Sequence, residues 1–182
     1  MVKRDIKVVN IVVSTSLHHD IPLEKMAATL SNTEYNPEQF PGLVIRVKEP
    51  KTSALIFSSG KVVCTGARSM EKVEESIKKI IKSLEKIGIK ITIKPEIKIQ
   101  NIVASGTVGM DLNLNTLAMK LKNTEYEPEQ FPGLVYKLPD PETKATFLLF
   151  SNGKVVCTGT KSEKEVNRAL DKLIENLKKV SR

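Results

Sequence analysis

The chain has 182 residues, and its 29 Lys and Arg against 21 Asp and Glu give a net charge of +8. Hydrophobic residues make up 40% and charged residues 27%, which allows a folded core and excludes disorder by composition. No apolar run reaches the roughly 18 residues of a membrane helix, no signal-peptide core follows the N-terminus, and two cysteines are too few for a disulfide framework or a cysteine zinc site. We expect an intracellular, cytoplasmic protein, and the basic excess favours a polyanionic partner.

The first half of the chain predicts a strand, a helix, four strands and a second helix. The predicted strands are Ile6–Thr15, a short one at Thr33–Asn36, then Gly42–Val47, Ser53–Ser58 and Lys61–Thr65, with a hairpin turn at Ser58–Gly60. The first helix starts at Asp20–Pro22, where apolar residues begin to recur at helical spacing. Ser69 caps the second helix, whose apolar stripe runs from Met70 to Ile87 and ends at Gly88.

After Pro95 the chain repeats this pattern. SNTEYNPEQFPGLV at 31–44 recurs as KNTEYEPEQFPGLV at 122–135, identical at twelve of fourteen positions, and GKVVCTG at 60–66 recurs at 153–159. The offset rises from 91 to 93 residues, so the second copy has a two-residue insertion, near Pro139–Lys144. The copies span about 6–93 and 97–181, and Ser162 with Glu165 predicts a capping box before the last helix. Two copies are too few for a solenoid, so we predict one pseudo-two-fold molecule with repeats 1–95 and 96–182.

Alternation along the strands gives each copy two largely apolar faces, and its two helices can cover only one. Either two sheets pack against each other as a sandwich, or one apolar face stays open for a ligand. Asn10, Thr65, Arg46 and their second-copy equivalents share one face, and buried charges would be costly, which favours the open face. An apolar surface with a few amides and hydroxyls suits an A·T minor groove, which presents only acceptors.

The stretch NTEYNPEQFPGLVIRVKEPKTSALIFSSGKVVCTGARS and its second copy resemble the TATA-box-binding protein family in its archaeal form, over nearly the whole chain. The resemblance implies an α+β saddle of two pseudo-symmetric β-α-β4-α repeats, with a curved ten-stranded antiparallel sheet below and four helices above. It implies a general transcription initiation factor that binds A·T-rich TATA-box DNA in the minor groove and kinks it. The family is itself a standard example of minor-groove bending by inserted side chains. It is not an enzyme, and we expect no cofactor and no metal.

The resemblance also assigns roles to residues. The DNA-intercalating positions map onto Phe40, Phe57, Phe131 and Phe150, whereas Phe147 has the opposite parity and is predicted to lie in the core. The minor-groove positions map onto Asn10, Val12, Leu55, Val63 and Thr65, and onto Asn101, Val103, Leu148, Val156 and Thr158. Phosphate contacts map onto Arg46, Lys51, Lys61, Arg68, Lys137, Lys144, Lys154 and Lys161.

The partners implied are double-stranded promoter DNA, a B-type initiation factor and, indirectly, RNA polymerase. The contact with the B-type factor maps onto Glu127 and Glu129, beside Gln130, which replaces a leucine of eukaryotic members. The protein would be a monomer on DNA and could self-associate when free, and no membrane is involved. Lysines 78, 79, 82 and 86 form either a solvated helix face or a contact with upstream DNA or a partner.

Two other functions stay open at this point. The same surface could serve a non-specific architectural DNA-bending protein. A duplicated α+β enzyme or small-ligand binder could instead close two sheets over a pocket. Against that third hypothesis, the sequence contains no set of nucleophile, base and orienting residue, no P-loop and no dinucleotide fingerprint.

Overall fold

The structure is a computed structural model that describes residues 5–141 and 143–180. Within these residues the chain forms ten strands and four helices. The first half contains β1 (Asp5–Ser16), α1 (Leu23–Thr29), β2 (Thr33–Tyr35), β3 (Leu43–Val47), β4 (Thr52–Ile56), β5 (Lys61–Ala67) and α2 (Met70–Lys86). The second contains β6 (Lys98–Thr107), α3 (Leu114–Lys120), β7 (Thr124–Glu125), β8 (Leu134–Lys137), β9 (Thr146–Leu149), β10 (Lys154–Thr160) and α4 (Glu163–Val180). The predicted order, strand, helix, four strands and helix, is confirmed in both halves.

All ten strands belong to one antiparallel sheet, in the order β2-β3-β4-β5-β1-β6-β10-β9-β8-β7. The predicted ten-stranded sheet with four helices is therefore confirmed. The sandwich alternative requires two separate sheets and is therefore wrong, because all ten strands belong to one sheet. No helix in the described part of the chain is long and apolar enough to span a membrane.

The chain divides into two compact units. Residues Asn10–Gln100 form one unit, and the chain from Asn101 onward forms the other together with the beginning of β1, up to Val9. The strand β1 therefore contributes to both units, and so does β6. The boundary between repeats at Pro95, drawn from the sequence duplication alone, stays a prediction.

The two long helices begin where the sequence predicts. The Ser69 hydroxyl accepts a hydrogen bond from the Lys72 backbone N–H, and the Ser162 hydroxyl accepts one from the Glu165 N–H at 3.1 Å. In a capping box the Glu165 carboxylate would also accept from the N–H of Ser162. It accepts instead from the N–H of Lys161, at 2.8 Å. The predicted second bond of the capping box is therefore wrong. Its donor is the N–H of Lys161, one residue before the cap residue Ser162.

The face of each unit that lies beneath the helices forms the core, as the alternation predicts. Leu43, Ile56, Val62 and their neighbours of the same parity are almost fully buried, and α2 and α4 contribute a stripe of buried Val, Ile, Ala and Leu. Phe147 is fully buried, which confirms its predicted place in the core.

The two cysteines are also in the core, as predicted. Burial raises the pKa of the Cys64 thiol to about 11 and that of the Cys157 thiol to about 12. Both thiols are therefore neutral at pH 7, which removes the nucleophilic thiolate that cysteine catalysis needs.

Candidate nucleic-acid interface

Each unit has a second sheet face that its helices do not cover. Strand residues there are half-buried or exposed, and alternate with buried neighbours of the core. In the unit Asn10–Gln100 this open face contains Asn10, Val12, Ser14, Val44, Arg46, Ser53, Leu55, Lys61, Val63 and Thr65. In the other unit it contains Asn101, Val103, Ser105, Val135, Lys137, Thr146, Leu148, Lys154, Val156 and Thr158. All ten residues predicted for the minor groove therefore lie on open faces.

A β-bulge fixes the amide of Asn10 on the open face. Opposite β1, the strand β5 has one extra residue near Gly66, whose φ of 103° is readily adopted only by glycine. The bulge leaves the Gly66 N–H outside the ladder, and this N–H donates to Asn10 Oδ1 at 2.7 Å. Because a backbone N–H can only donate, the amide oxygen must point to the bulge. Asn10 Nδ2 then donates to Thr65 Oγ1 at 3.0 Å.

The other unit repeats this arrangement. The N–H of Gly159, which has a φ of 90°, donates to Asn101 Oδ1 at 2.8 Å, and Asn101 Nδ2 donates to Thr158 Oγ1 at 2.9 Å. An amide nitrogen carries two hydrogens, so one remains for a ligand. In this unit the Thr158 hydroxyl accepts from the amide, so its own hydrogen can also be directed at a ligand, whereas the Thr65 hydroxyl donates to Asn10 Oδ1 at 3.2 Å. Each open face thus presents donors in fixed orientation among apolar side chains.

The four phenylalanines predicted to intercalate form two pairs, one in each unit. The Phe40 and Phe57 ring centroids are 5.9 Å apart and those of Phe131 and Phe150 6.0 Å apart, both edge to face. Phe40 and Phe131 are each 43% exposed, which is unusual for so large an apolar side chain. The structure brings each predicted pair together at the surface.

The hairpin between β4 and β5 positions Phe57, which is less exposed than its partner Phe40. The strand ends at Ile56 rather than continuing to Ser58, so Phe57 is the first residue of the turn. The Phe57 N–H donates to the Lys61 carbonyl and the Gly60 N–H donates to the Phe57 carbonyl, both at 2.9 Å. Gly60 has a φ of 95°, as the last position of such a turn requires. Phe150 is held by the same two bonds in the second hairpin.

The eight cationic side chains predicted to contact phosphates are all exposed. Arg46, Lys61, Lys137 and Lys154 lie on strands of the open faces, and the others lie in adjoining loops. Arg46 also pairs with Glu34 at 3.2 Å, with the two side chains 60% and 67% exposed. So exposed an ion pair is weak and leaves the guanidinium free to exchange partners. Lys144 lies beside the insertion, where Glu142 is outside the described residues.

A family model described as transcription factor TFIID, or TATA-binding protein, matches residues 5–87 and 96–180. The TATA-box-binding protein of Methanocaldococcus jannaschii is 55% identical over 97% of this chain and 95% of its own length. Those of Archaeoglobus fulgidus and Methanothermobacter thermautotrophicus are 50% and 54% identical, over 95% and 92% of this chain and 94% and 92% of their own. A solved structure titled Methanococcus jannaschii TBP matches with a TM-score of 0.90, over 97% of this chain and 99% of that one. The chain belongs to the TATA-box-binding protein family.

The loop predicted to contact the B-type factor lies in the second repeat of this family member. Glu127, Glu129 and Gln130 are all exposed. The carbonyl of Glu127 accepts from the N–H groups of Gln130 and Phe131, both at 3.0 Å, so the loop closes into a tight turn beside the phenylalanine pair. A groove of about 710 Å³ adjoins this loop and is lined by Tyr126, Pro128, Pro132 and the start of α3.

The sequence did not reveal that a bulge orients the amide of each open-face asparagine. Gly66 and Gly159 close the motif GKVVCTG in both repeats, so a glycine at the end of a strand was a visible signal. The hydrogen bond from each glycine to an asparagine more than fifty residues away needed the tertiary structure. Among the described residues no group of three or more His, Cys, Asp or Glu could hold a metal ion.

Proposed function

We propose that this chain is a general transcription initiation factor that binds TATA-box promoter DNA in the minor groove, kinks it with its phenylalanines and recruits a B-type initiation factor and, through it, RNA polymerase. Two open apolar faces with oriented asparagine and threonine donors carry the proposal. Family membership and the names of the archaeal relatives support the same function. It would act in the cytoplasm, on the nucleoid.

Selection of A·T pairs follows from the chemistry of the open faces. In the minor groove, A·T and T·A pairs show only the acceptors adenine N3 and thymine O2, while G·C adds the guanine amino group. The free amide hydrogens of Asn10 and Asn101 and the hydroxyl hydrogen of Thr158 can meet those acceptors. The apolar side chains beside them, such as Val63 and Val156, offer an amino group no acceptor, so a buried guanine donor would stay unpaired. The unpaired donor makes G·C pairs unfavourable.

The phenylalanine pairs supply the kink. A flat apolar ring that enters between two base pairs replaces part of the lost base stacking, and the bent duplex then contacts more protein surface. Phe40, Phe57, Phe131 and Phe150 would be the four inserted side chains. Their partly exposed, edge-to-face geometry supports this role, because rings that served only the core would be buried as Phe147 is.

The exposed cations would hold the sugar-phosphate backbones on either side of the groove. Arg46, Lys51, Lys61, Arg68, Lys137, Lys144, Lys154 and Lys161 are all accessible to phosphates. Each phosphate contact releases a condensed counterion, so affinity would fall steeply with salt. These contacts position the protein on the duplex and add affinity, whereas the open faces select the sequence.

Partner recruitment would use the loop of the second repeat. Glu127 and Glu129 place two exposed carboxylates beside Gln130 and the adjoining groove, which suits a partner with basic side chains. We propose a monomer on DNA. Free protein would self-associate through its open faces, because apolar surface without a duplex favours burial against another copy.

The test is a titration with labelled duplexes at several salt concentrations. One duplex carries an A·T-rich TATA element, a second replaces each A·T by G·C, and a third replaces it by inosine·cytosine, which lacks the guanine amino group. We expect tight binding to the first and third and weak binding to the second, because the minor-groove patterns of A·T and inosine·cytosine match.

The outcomes separate the hypotheses. Equal affinity for all three duplexes would leave a non-specific architectural protein. No binding to any duplex would return the small-ligand hypothesis. Tight binding only to A·T, with inosine·cytosine rejected, would mean that the protein recognises the major groove or the stiffness of the duplex rather than the minor-groove edge.

A further inference from the structure

A glycine lies directly beneath each phenylalanine pair. Gly42 precedes β3 in the motif Phe40-Pro41-Gly42, and Gly133 precedes β8 in the same motif of the second repeat. Both glycines are buried, and neither has a positive φ, so any L-amino acid could adopt their backbone conformation. Backbone freedom therefore does not explain why glycine stands at these two positions.

The phenylalanine rings explain why glycine stands at these two positions. A Cβ atom at Gly42 would lie 2.7 Å from Phe40 Cε2 and 3.1 Å from Phe57 Cε1. A Cβ atom at Gly133 would lie 2.8 Å from Phe131 Cε1 and 3.0 Å from Phe150 Cε1. In both units the three nearest atoms all belong to the phenylalanine pair. A methyl group would thus collide with the two rings and with nothing closer.

The glycines of the hairpins that follow Phe57 and Phe150 differ from Gly42 and Gly133 in this respect. A Cβ at Gly60 would meet the backbone of His19, and one at Gly153 would meet the backbone of Met110. Both have positive φ values. These two glycines are required by the fold. The requirement at Gly42 and Gly133 comes from side chains that can rotate, so alanine can be accommodated there if a ring moves.

We propose that Gly42 and Gly133 are positioning residues that set the orientation of the phenylalanine wedges. Without a side chain, each leaves room for both rings of a pair to rest on the strand at 5.9–6.0 Å from each other, ready to enter a base step. The proposal rests on the intercalating role proposed above. It adds that the rings are arranged before DNA arrives, which lowers the ordering cost of the kink.

The first test uses free protein and needs no DNA. With fluorine-labelled phenylalanine the protein has five resonances, one for each Phe. We expect Gly42→Ala to move those of Phe40 and Phe57 and to leave Phe131, Phe147 and Phe150 in place, with Gly133→Ala doing the reverse. Thermal unfolding should change little, whereas Gly60→Ala should lower the melting temperature. Unmoved resonances in both alanine variants would overturn the proposal, whatever the protein does with DNA.

The second test measures bending by energy transfer across a TATA duplex. We expect Gly42→Ala to reduce the bend and to weaken binding about three- to ten-fold, because the displaced ring must leave a preferred rotamer to insert. In a Phe40→Ala background the same substitution should have almost no further effect, because the ring that it displaces most is gone. An equal loss in both backgrounds would show a role of Gly42 in the backbone and overturn the proposal.

The two tests also separate this proposal from the proposed function. If wild-type protein does not bend DNA, intercalation fails, while the resonances still report whether the glycines orient the rings. If wild-type protein bends DNA and Gly42→Ala and Gly133→Ala bend it equally well, intercalation stands and the positioning role fails.

Discussion

The two repeats of this protein are alike on the open face and differ outside it. Asn10, Val12, Leu55, Val63 and Thr65 have identical counterparts in the second repeat, and the asparagine-bulge bonds and phenylalanine pairs recur within a few tenths of an ångström. A duplex minor groove presents similar edges in both directions, so the proposed binding to DNA would favour a symmetric surface.

The clearest differences between the repeats lie in one loop and on the long helices. In the loop that precedes Phe40 and Phe131, Asn36 of the first repeat becomes Glu127 of the second, whereas Glu38 and Gln39 are repeated as Glu129 and Gln130. On the long helices, Lys78 and Lys82 of α2 become Asp171 and Glu175 of α4. Glu175 is engaged by Lys172 and Lys179 at 3.9 and 3.4 Å, so the α4 surface neutralises itself. Under the proposed function, the symmetric residues would contact DNA and the asymmetric residues would contact other partners.

The largest effect should come from removing a wedge. Phe57→Ala and Phe150→Ala should each weaken binding to a TATA duplex by about 1–3 kcal/mol, or roughly 5- to 150-fold, because a ring that stacks on a base is lost. The bend angle, measured by energy transfer, should fall in both variants, and to a similar degree if the repeats are equivalent.

Phe147→Ala is the control for this prediction. Its ring is fully buried in the core, so we expect a loss of about 3–5 kcal/mol in unfolding free energy. DNA bending by the remaining folded protein should be unchanged. If Phe57→Ala instead unfolds the protein while folded molecules bend DNA normally, Phe57 is a core residue.

Reversing the hydrogen-bonding character of one asparagine should affect base selection. Asn101→Asp keeps an oxygen for the Gly159 N–H but replaces the free donor with an acceptor, which repels adenine N3 and thymine O2. We expect the preference for A·T over G·C at the contacted base pair to fall about ten-fold, as measured by competition between duplexes. Asn10→Asp should act alike, and an unchanged preference in both would exclude base contact by these amides.

Exchange of the asymmetric loop residue tests the partner site. Glu127→Asn gives the second repeat the sequence of the first and should weaken recruitment of the B-type factor about three- to ten-fold, as expected for a lost charge contact. The matched variant Asn36→Glu should have no such effect, and neither should alter binding to DNA alone. A gel-shift titration of the preformed DNA complex measures both. Equal behaviour of the two variants would place the asymmetric contact elsewhere.

The smallest effect concerns single phosphate contacts. Lys61→Ala and Lys154→Ala, at equivalent positions, should each lower the slope of log affinity against log salt by about 1. Lys82→Ala on the exposed face of α2 should leave the slope unchanged. A reduced slope for Lys82→Ala would instead show that this helix contacts upstream DNA, the alternative left open by the sequence.

The amino-acid sequence alone predicted a large part of this fold. Period-two alternation separated the buried face from the open one on strand after strand, and Phe147 was assigned to the core by parity alone. Caps and glycines marked the ends of α2 and the start of α4, because these signals are local to a few residues. The duplication predicted the repeated order of elements, and the resemblance to a family supplied the site residues.

Only the tertiary structure decided between a sandwich and one open sheet, because alternation records which side chains are buried but not which strands are neighbours. It also decided the orientation of the asparagine amides, which depends on an extra residue in a strand more than fifty positions away. The tertiary structure also showed that a Cβ atom at Gly42 or Gly133 would collide with the phenylalanine rings. The sequence could not show this, because both glycines have ordinary φ values and the rings come from separate segments. Contacts between distant segments arise from register and packing, which no local pattern encodes.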